Sequence, residues 1–165
     1  IKEVEKAVNL LIKSRKICFF GAAVSQLTAQ DAVYKFLRIG FDVSTYSDYH
    51  IQLMQASLLT ESDVAVGISF SGSTKDTIDI LSAAKKAGAK IMSITHHAKS
   101  PIAKISDIVL LHGSKEGPLE GGLIPSKVSQ LIVIDVLYNA VYARMKETAS
   151  RKKEITSKII SERLQ

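Results

Sequence analysis

The chain has 165 residues, of which 46% are hydrophobic and 23% are charged, and it carries a formal net charge of +6. This length suits one domain with a substantial core, and the composition excludes a disordered chain. No apolar run approaches the roughly 20 residues that span a bilayer, and the amphipathic first residues do not form a signal peptide, so we expect a cytoplasmic protein that does not bind membranes.

Neither the cysteine content nor the charge pattern predicts a redox, metal or nucleic-acid site. Cys18 is the single cysteine, which excludes an internal disulfide, and its apolar neighbours favour a buried, inert thiol. The densest basic stretch, residues 151–153, is followed directly by Glu154 and has no interleaved aromatic residues, so we interpret it as a solvated helix face. The adjacent His96 and His97 have no acidic or thiol partner at metal-ligand spacing, and we expect neither a metal nor a cofactor.

Strand patterns alternate with helical patterns along the chain. In chain order, short apolar runs predict strands at residues 17–20, 42–46, 64–68, 90–94 and 108–111. Amphipathic periodicity and capping residues predict helices over the first dozen residues, from Ser25 to just before Gly40, and after Asp48, Thr74 and Ser100. The predicted core-facing stripe of the second helix includes Phe36 and Leu37. This alternation predicts parallel strands between two layers of helices, which is a three-layer α/β sandwich.

The carboxyl-terminal part of the chain departs from the alternation. Residues 113–125 predict a loop with glycines and a proline, and this loop contains Glu116. From residue 128 to residue 145 apolar residues lie almost all round a helix. One face of a sheet cannot cover so wide an apolar surface. We therefore predict that another subunit buries part of this helix, with a tail helix through Ile155, Ile159 and Leu164 adding to the contact.

The central strand ends in a run of small hydroxyl residues directly before a helical pattern. We call this run the serine turn, and it consists of Ser69, Phe70, Ser71, Gly72, Ser73 and Thr74. The first N–H groups of the following helix lack backbone partners and lie at the positive end of the helix dipole, which favours an anion. Gly72 allows a ligand to approach the backbone closely, and the hydroxyls supply neutral donors. The simplest ligand for this turn is a phosphate.

The same residues also have a purely structural interpretation. Ser73 or Thr74 has the residue type and position of a helix cap, and Ser25 in the first loop does too. Glu116, in a glycine-rich loop, is by default a solvated surface charge. The residues alone therefore leave phosphate binding and helix capping open.

The order and spacing of several motifs resemble those of a known family. These motifs are the serine turn before its helix, Gly88-Ala89, a strand ending in Thr95, Ser100-Pro101 with Ala103, and Asp107 before the fifth strand. Together they resemble the sugar isomerase (SIS) domain. Within that superfamily the chain is most similar to the effector-binding domain of RpiR-type bacterial transcription regulators. That similarity rests on Asp31, Lys35, Arg38-Ile39-Gly40, residues 48–52, Glu116, Ser126-Lys127, Gln130-Leu131, Asp135 and Leu137-Tyr138.

The resemblance implies a five-stranded parallel sheet, a phosphorylated sugar as ligand, and a homodimer or tetramer. The residues that it implies for the phosphate are Ser69, Ser71, Ser73 and Thr74, with Gly72 shaping the turn and Ser25 completing the pocket. Glu116 matches an acidic position that contacts sugar hydroxyls, or acts as a base, in the enzymes of the superfamily. The first loop departs from the family pattern, because residues 22–24 read Ala-Ala-Val where a second glycine is usual.

Two classes of function follow from this resemblance. One is a sugar-phosphate sensor in a transcription regulator, with no catalytic residue, and the other is an aldose–ketose isomerase in which Glu116 or a histidine shuttles the proton. We favour the sensor; a nicotinamide-binding domain is disfavoured because Gly21 lacks the two later glycines of that motif.

The expected domain organisation is a single SIS domain over residues 1–165, with a core to about residue 146 and a helical extension over 147–165. The alternating strands leave no room for a helix-turn-helix domain. The first residue, Ile1, fits the removal of such a domain from the amino-terminal side. We expect contact with DNA only through that missing domain.

Overall fold

The computed structural model describes residues 1–113 and 123–162, and at residues 123–126 it describes the backbone alone. The strands are β1 (Lys16–Gly21), β2 (Val43–Ser44), β3 (Asp63–Ile68), β4 (Lys90–Thr95) and β5 (Ile108–Leu111). The helices are α1 (Lys2–Lys13), α2 (Val24–Arg38), α3 (Tyr49–Ser57), α4 (Lys75–Lys86), α5 (Pro101–Ile105), α6 (Leu123–Arg144) and α7 (Lys146–Ser161). Helices and strands alternate as far as β5, as the sequence pattern predicts.

The five strands are parallel and lie in the order β2-β1-β3-β4-β5. β1 and β3 are neighbours, so that Gly21 at the end of β1 pairs with Ile68 at the end of β3. The chain leaves β1 toward one face of the sheet and β3 toward the other, because α2 and α4 pack into different cores. In open α/β sheets, ligands bind in the crevice at such a change of direction.

Two hydrophobic cores lie on the two faces of the sheet, since successive strand side chains point to opposite sides. In β1, Ile17 and Phe19 pack into the core that α1, α2, α6 and α7 cover, whereas Cys18 and Phe20 pack into the core beneath α3, α4 and α5. Burial raises the pKa of the Cys18 thiol, which agrees with an unreactive residue. This arrangement confirms the predicted three-layer α/β sandwich.

Three predicted features differ from the structure. The second strand is limited to Val43–Ser44 instead of residues 42–46, because at the edge of the sheet it pairs with β1 alone. Leu37 is exposed, while Phe36 lies in the core and makes edge-on contacts with neighbouring aromatic rings. The helix α6 begins at Leu123, so Pro125 lies in its first turn, where proline is tolerated, and not in a loop.

The helix α6 buries one side and leaves a second apolar side in solvent. The buried side carries Ile134, Leu137 and Val141, and the exposed side carries Val128, Ile132 and Val136. This pattern agrees with the prediction of a helix that the sheet does not fully cover. Among the helices that the structure describes, neither α6 nor any other combines the length and apolarity needed to cross a membrane.

Candidate functional site

The candidate site is a cleft at the carboxyl ends of β1 and β3, where the two strands diverge to opposite faces. Its volume is about 280 Å³. The walls are formed by the loop after β1, the serine turn after β3, and one residue of α6. The residues that line it are Ala22, Ala23, Val24, Ser25, Ser69, Phe70, Ser71, Thr74 and Gln130.

The structure brings four of the predicted site residues to this one cleft. These residues are Ser25, Ser69, Ser71 and Thr74. Gly72 and Ser73 belong to the same turn but do not line the cleft, so Gly72 contributes conformation and Ser73 lies on the outer side. Glu116 lies outside the described residues, and its predicted role stays a prediction.

Within the serine turn, Ser69 braces the loop. Its side chain is buried, and its Oγ accepts a hydrogen bond from the Gly72 N–H at 3.1 Å. The same Oγ lies 3.1 Å from the Thr74 Oγ1. Ser71 is exposed, and its Oγ accepts from the Ser73 N–H at 3.1 Å, so its own hydroxyl proton is left for a ligand. Ser69 therefore holds the turn in shape, while the Ser71 and Thr74 hydroxyls line the cleft.

The turn requires glycine at position 72. Gly72 has φ of +63°, a value that L-residues with a side chain rarely adopt. A Cβ at this position would lie 2.2 Å from the Ser100 Oγ and 2.8 Å from the Thr95 Oγ1. The turn thus packs directly against the end of β4 and the start of α5.

Thr74 occupies the N-cap position of α4 without capping it. The Thr74 side chain makes no hydrogen bond to the first turn of the helix, in contrast to Asp48, whose carboxylate accepts from the Ile51 N–H at 3.0 Å in α3. The helix α4 thus starts beside a residue that lines the cleft, and its N-cap side chain makes no bond to its amides. The capping interpretation of Thr74 therefore fails in this structure, and the amides stay open to an anion.

The loop after β1 forms a tight turn in front of α2. The Ser25 N–H donates to the Ala22 carbonyl at 3.0 Å, and Ala23 has φ of +49° and ψ of −121°. A Cβ on Gly21 would lie 2.9 Å from the backbone of Ser25, so glycine is required there for the turn to close. Ser25 is the second residue of α2 and not its N-cap, so its hydroxyl has no capping role and faces the cleft.

Gln130 is the cleft residue that the sequence analysis did not assign to the site. It lies on α6, and its Nε2 donates to the Ser25 Oγ at 3.2 Å. Its Oε1 accepts from the Thr28 Oγ1 at 3.0 Å. The Gln130-Leu131 pair belongs to the motifs that carry the family resemblance, but 105 positions separate Gln130 from Ser25, and only the folded chain places them together.

A group of rings lies behind the serine turn. The Phe70 ring stacks on His96 with centroids 5.0 Å apart, and His112 lies 5.6 Å from Phe70. Burial, and then the nearby His96 and His97, lower the pKa of His112 to about 4, so this imidazole is neutral at pH 7. Among the described residues, no three His, Cys, Asp or Glu side chains are placed to share a metal ion.

Comparisons with known proteins identify the family. The model of the SIS domain matches residues 10–140 of this chain. An uncharacterized HTH-type transcriptional regulator of Haemophilus influenzae is 40% identical over 162 residues, which are 98% of this chain and 56% of that protein. The HTH-type transcriptional regulator RpiR of Escherichia coli K12 is 36% identical over 160 residues, which are 97% of this chain and 54% of RpiR. The chain thus spans little more than half the length of these relatives.

The structural comparison agrees. The NanR protein of Vibrio vulnificus, solved in complex with ManNAc-6P, superimposes with a TM-score of 0.90 at 29% sequence identity, over 96% of this chain and 60% of NanR. Its similarity extends across both layers of helices and the sheet. The match to the family model over residues 10–140 confirms the resemblance inferred from the motifs, and the chain belongs to the SIS domain family.

Proposed function

We propose that this chain is the effector-binding domain of an RpiR-type transcription regulator and that its ligand is a phosphorylated sugar. The observation that carries the proposal is the cleft at the β1/β3 switch point, which the Ser71 and Thr74 hydroxyls line just before α4, a helix whose N-cap side chain makes no capping bond. Neutral hydroxyls and backbone N–H groups can bind a phosphate without a positively charged side chain. In support, the similar NanR protein was solved with ManNAc-6P, and RpiR is a transcription regulator.

The size and shape of the cleft support a small ligand. Its volume of about 280 Å³ lies just below the roughly 300–1,000 Å³ typical of small-molecule sites. Its polar lining combines the hydroxyls of the serine turn with Ser25 and Gln130. We infer that the phosphate lies against the serine turn, with Ser25 as a second donor and Glu116 in contact with sugar hydroxyls.

The names of the relatives favour binding over catalysis, since RpiR is a transcription regulator, and the described lining of the cleft agrees with this. An aldose–ketose isomerase needs a group that moves a proton between two carbon atoms. The described residues that line the cleft are Ala, Val, Ser, Phe, Thr and Gln, and none of these side chains titrates near neutral pH. Glu116, the base of the isomerase alternative, lies outside the described residues. Because relatives such as RpiR are transcription regulators, we propose that the domain senses its ligand and does not convert it.

The proposal extends to the whole regulator. We propose that residues 1–165 form one ligand-sensing unit, with the core to about residue 146 and a helical extension after it. In the full-length protein this unit is joined to a helix-turn-helix domain, as the names of the HTH-type relatives suggest. The regulator then acts in the cytoplasm as a dimer or tetramer and contacts DNA only through the helix-turn-helix domain.

The direct test combines binding with turnover. The purified chain is mixed with ManNAc-6P and, separately, with glucose 6-phosphate and fructose 6-phosphate, and its melting temperature and the NMR spectrum of each sugar are recorded. We expect at least one sugar phosphate to raise the melting temperature, while the spectra show no aldose–ketose exchange. Interconversion of glucose 6-phosphate and fructose 6-phosphate would instead establish the isomerase alternative.

A further inference from the structure

We infer that Gln130 is a positioning residue, which holds the Ser25 hydroxyl as a hydrogen-bond donor toward the bound phosphate. The inference rests on the proposed function, because it concerns how the same cleft binds its anion. It assigns a role to a residue on α6, the helix that leaves an apolar side in solvent. Gln130 acts through Ser25 and need not touch the phosphate.

Three side chains form a chain of hydrogen bonds that ends in the cleft. Thr28 is fully buried, and its Oγ1 donates to the Gln130 Oε1 at 3.0 Å. The Gln130 side chain is 2% exposed, and its Nε2 donates to the Ser25 Oγ at 3.2 Å. Because the Ser25 oxygen accepts from Gln130, the Ser25 proton is free to point at a ligand. In both hydrogen bonds, the donor thus lies on the side away from the cleft.

The direction of these hydrogen bonds decides whether the Ser25 hydroxyl donates to a bound anion or turns its lone pairs toward it. If the Gln130 amide turned over, its oxygen would face Ser25 and would take the hydroxyl proton, so that the Ser25 oxygen lone pairs faced the phosphate. A phosphate accepts hydrogen bonds and therefore favours the orientation seen here, in which the amide nitrogen donates to Ser25 and the amide oxygen accepts from Thr28. The glutamine thereby converts a serine with two possible orientations into a fixed donor.

The cost of burying Gln130 supports a role beyond packing. α6 packs against the core with apolar residues one and two turns further on, Ile134 and Leu137. A buried amide is stable only when its hydrogen bonds are made, and a leucine would fill a similar volume without that requirement. Both ends of Gln130 are satisfied, and one of the two partners is a residue that lines the cleft.

A double-mutant cycle tests the inference with inorganic phosphate as the probe. The apparent dissociation constant for phosphate is measured from ligand-dependent melting of the wild-type chain, Ser25→Ala, Gln130→Leu and the double variant. We expect Ser25→Ala to weaken binding about 10- to 100-fold, as for one hydrogen bond to a charged group. Gln130→Leu alone should weaken it about three- to tenfold and should add nothing in the Ser25→Ala background. Equal losses from Gln130→Leu in both backgrounds would overturn the inference.

Control variants separate positioning from damage to the fold. Gln26 is also a buried glutamine on a helix, and its Nε2 donates to the Thr45 Oγ1 at 3.1 Å, away from the cleft, so Gln26→Leu should leave phosphate affinity unchanged. Thr28→Val releases the Gln130 amide without touching it, and we expect weaker binding that Thr28→Ser restores. This pair still tests the inference if Gln130→Leu does not fold.

The failures of the inference and of the proposed function are distinguishable. If neither inorganic phosphate nor a sugar phosphate stabilises the wild-type chain, the proposed function fails and the inference fails with it. If Ser25→Ala weakens binding but Gln130→Leu and Thr28→Val do not, the phosphate site stands and only the role of Gln130 is overturned. If Ser25→Ala has no effect, Ser25 is not a phosphate ligand, and the inference is overturned while the serine turn remains.

Discussion

Ala23 holds the ligand loop in a conformation that is unfavourable for an L-residue. Its φ of +49° and ψ of −121° place it at the first central position of a tight turn, a position that glycine dominates. Such a residue carries a strain of roughly 1–3 kcal/mol when the surrounding structure enforces it. This is the stretch in which the sequence departs from the family pattern by lacking a second glycine. The structure therefore keeps the turn at the expense of local strain beside the cleft.

Replacing Ala23 by glycine should relieve this strain. We expect Ala23→Gly to raise the free energy of unfolding by about 1 kcal/mol, because the relief exceeds the roughly 0.5–1 kcal/mol that glycine costs through chain entropy. Urea denaturation of the ligand-free chain measures the change. Ala22→Gly is the matched control and should lower stability, since Ala22 is not among the residues with positive φ. A loss of stability in Ala23→Gly would show that the turn is unstrained.

His112 links stability to pH at the residue scale. It is 4% exposed, its Nδ1 lies 2.7 Å from the Ser129 Oγ, and its pKa is lowered to about 4 by burial and by His96 and His97. The unfolded chain, in which a histidine titrates near pH 6.5, therefore binds more protons than the folded chain between about pH 4 and pH 6.5. The stabilising contribution of the neutral imidazole is complete above that window and is lost as the pH falls through it.

The expected result is a stability that falls by up to about 1.4 kcal/mol per pH unit between pH 6.5 and pH 4 in the wild-type chain. His112→Asn should reduce this slope, whereas the exposed His50→Asn should leave it unchanged. Urea unfolding at half-unit pH intervals provides the measurement. An unchanged slope in His112→Asn would mean that another group titrates in this window.

The sequence located the hydroxyls of the cleft but not their supports. Ser25, Ser69, Ser71 and Thr74 were identifiable because each follows a strand of a parallel sheet, and the carboxyl ends of such strands meet at one edge. The separate roles of these residues could not be predicted from the sequence. That Ser69 stabilises the turn and that Thr74 does not cap α4 depend on distances of about 3 Å. Gln130 was not identifiable as a site residue, because its partner Ser25 lies on another element.

At the scale of elements, the periodicity predicted which helices and strands exist more reliably than where they end. The edge strand β2 shortened to Val43–Ser44 because it has one neighbour, and pairing across a sheet is not encoded locally. Pro125 signals a loop in the sequence, yet it is equally suited to the first turn of a helix, where α6 places it. Leu37 satisfies the helical period as well as Phe36 does, and only packing decides between two adjacent residues.

The exposed side of α6 is the element that we expect to join subunits. Ile132 is 56% exposed, and with Val128 and Val136 it forms a stripe beside an apolar groove of about 390 Å³ between α1, β5 and α6. Apolar patches of this kind are typical of interfaces. We therefore predict that the chain is at least a dimer in solution at micromolar concentration, as measured by light scattering.

A charge on this stripe should separate the subunits. Ile132→Lys places an ammonium group in the predicted interface, and we expect the variant to be a folded monomer. Leu58, the residue directly after α3, is 80% exposed in the opposite helix layer, so Leu58→Lys should leave the assembly unchanged. A monomeric wild-type chain, or an Ile132→Lys variant that still assembles, would refute the prediction.

At the scale of the whole molecule, the order β2-β1-β3-β4-β5 explains why the cleft lies where it does. The chain leaves β1 and β3 toward opposite faces of the sheet, which opens a crevice at their carboxyl ends, and the serine turn forms part of its wall. α6 contributes Gln130 to the lining of the cleft and, on another side, the exposed stripe with Ile132. The cleft is thus lined by a residue of the same helix that we expect to join the subunits, which suits a sensor in a regulator.

The most direct test of the central claim, that the serine turn binds the phosphate of a sugar phosphate, compares calorimetric titrations of the wild-type chain and of Ser71→Ala/Thr74→Ala. The titrants are ManNAc-6P and inorganic phosphate, and Ser57→Ala, an exposed serine on α3, is the control. We predict that the double variant keeps its fold but binds both titrants at least about tenfold more weakly, because two donors to the anion are removed. Unchanged affinity in the double variant would contradict the claim.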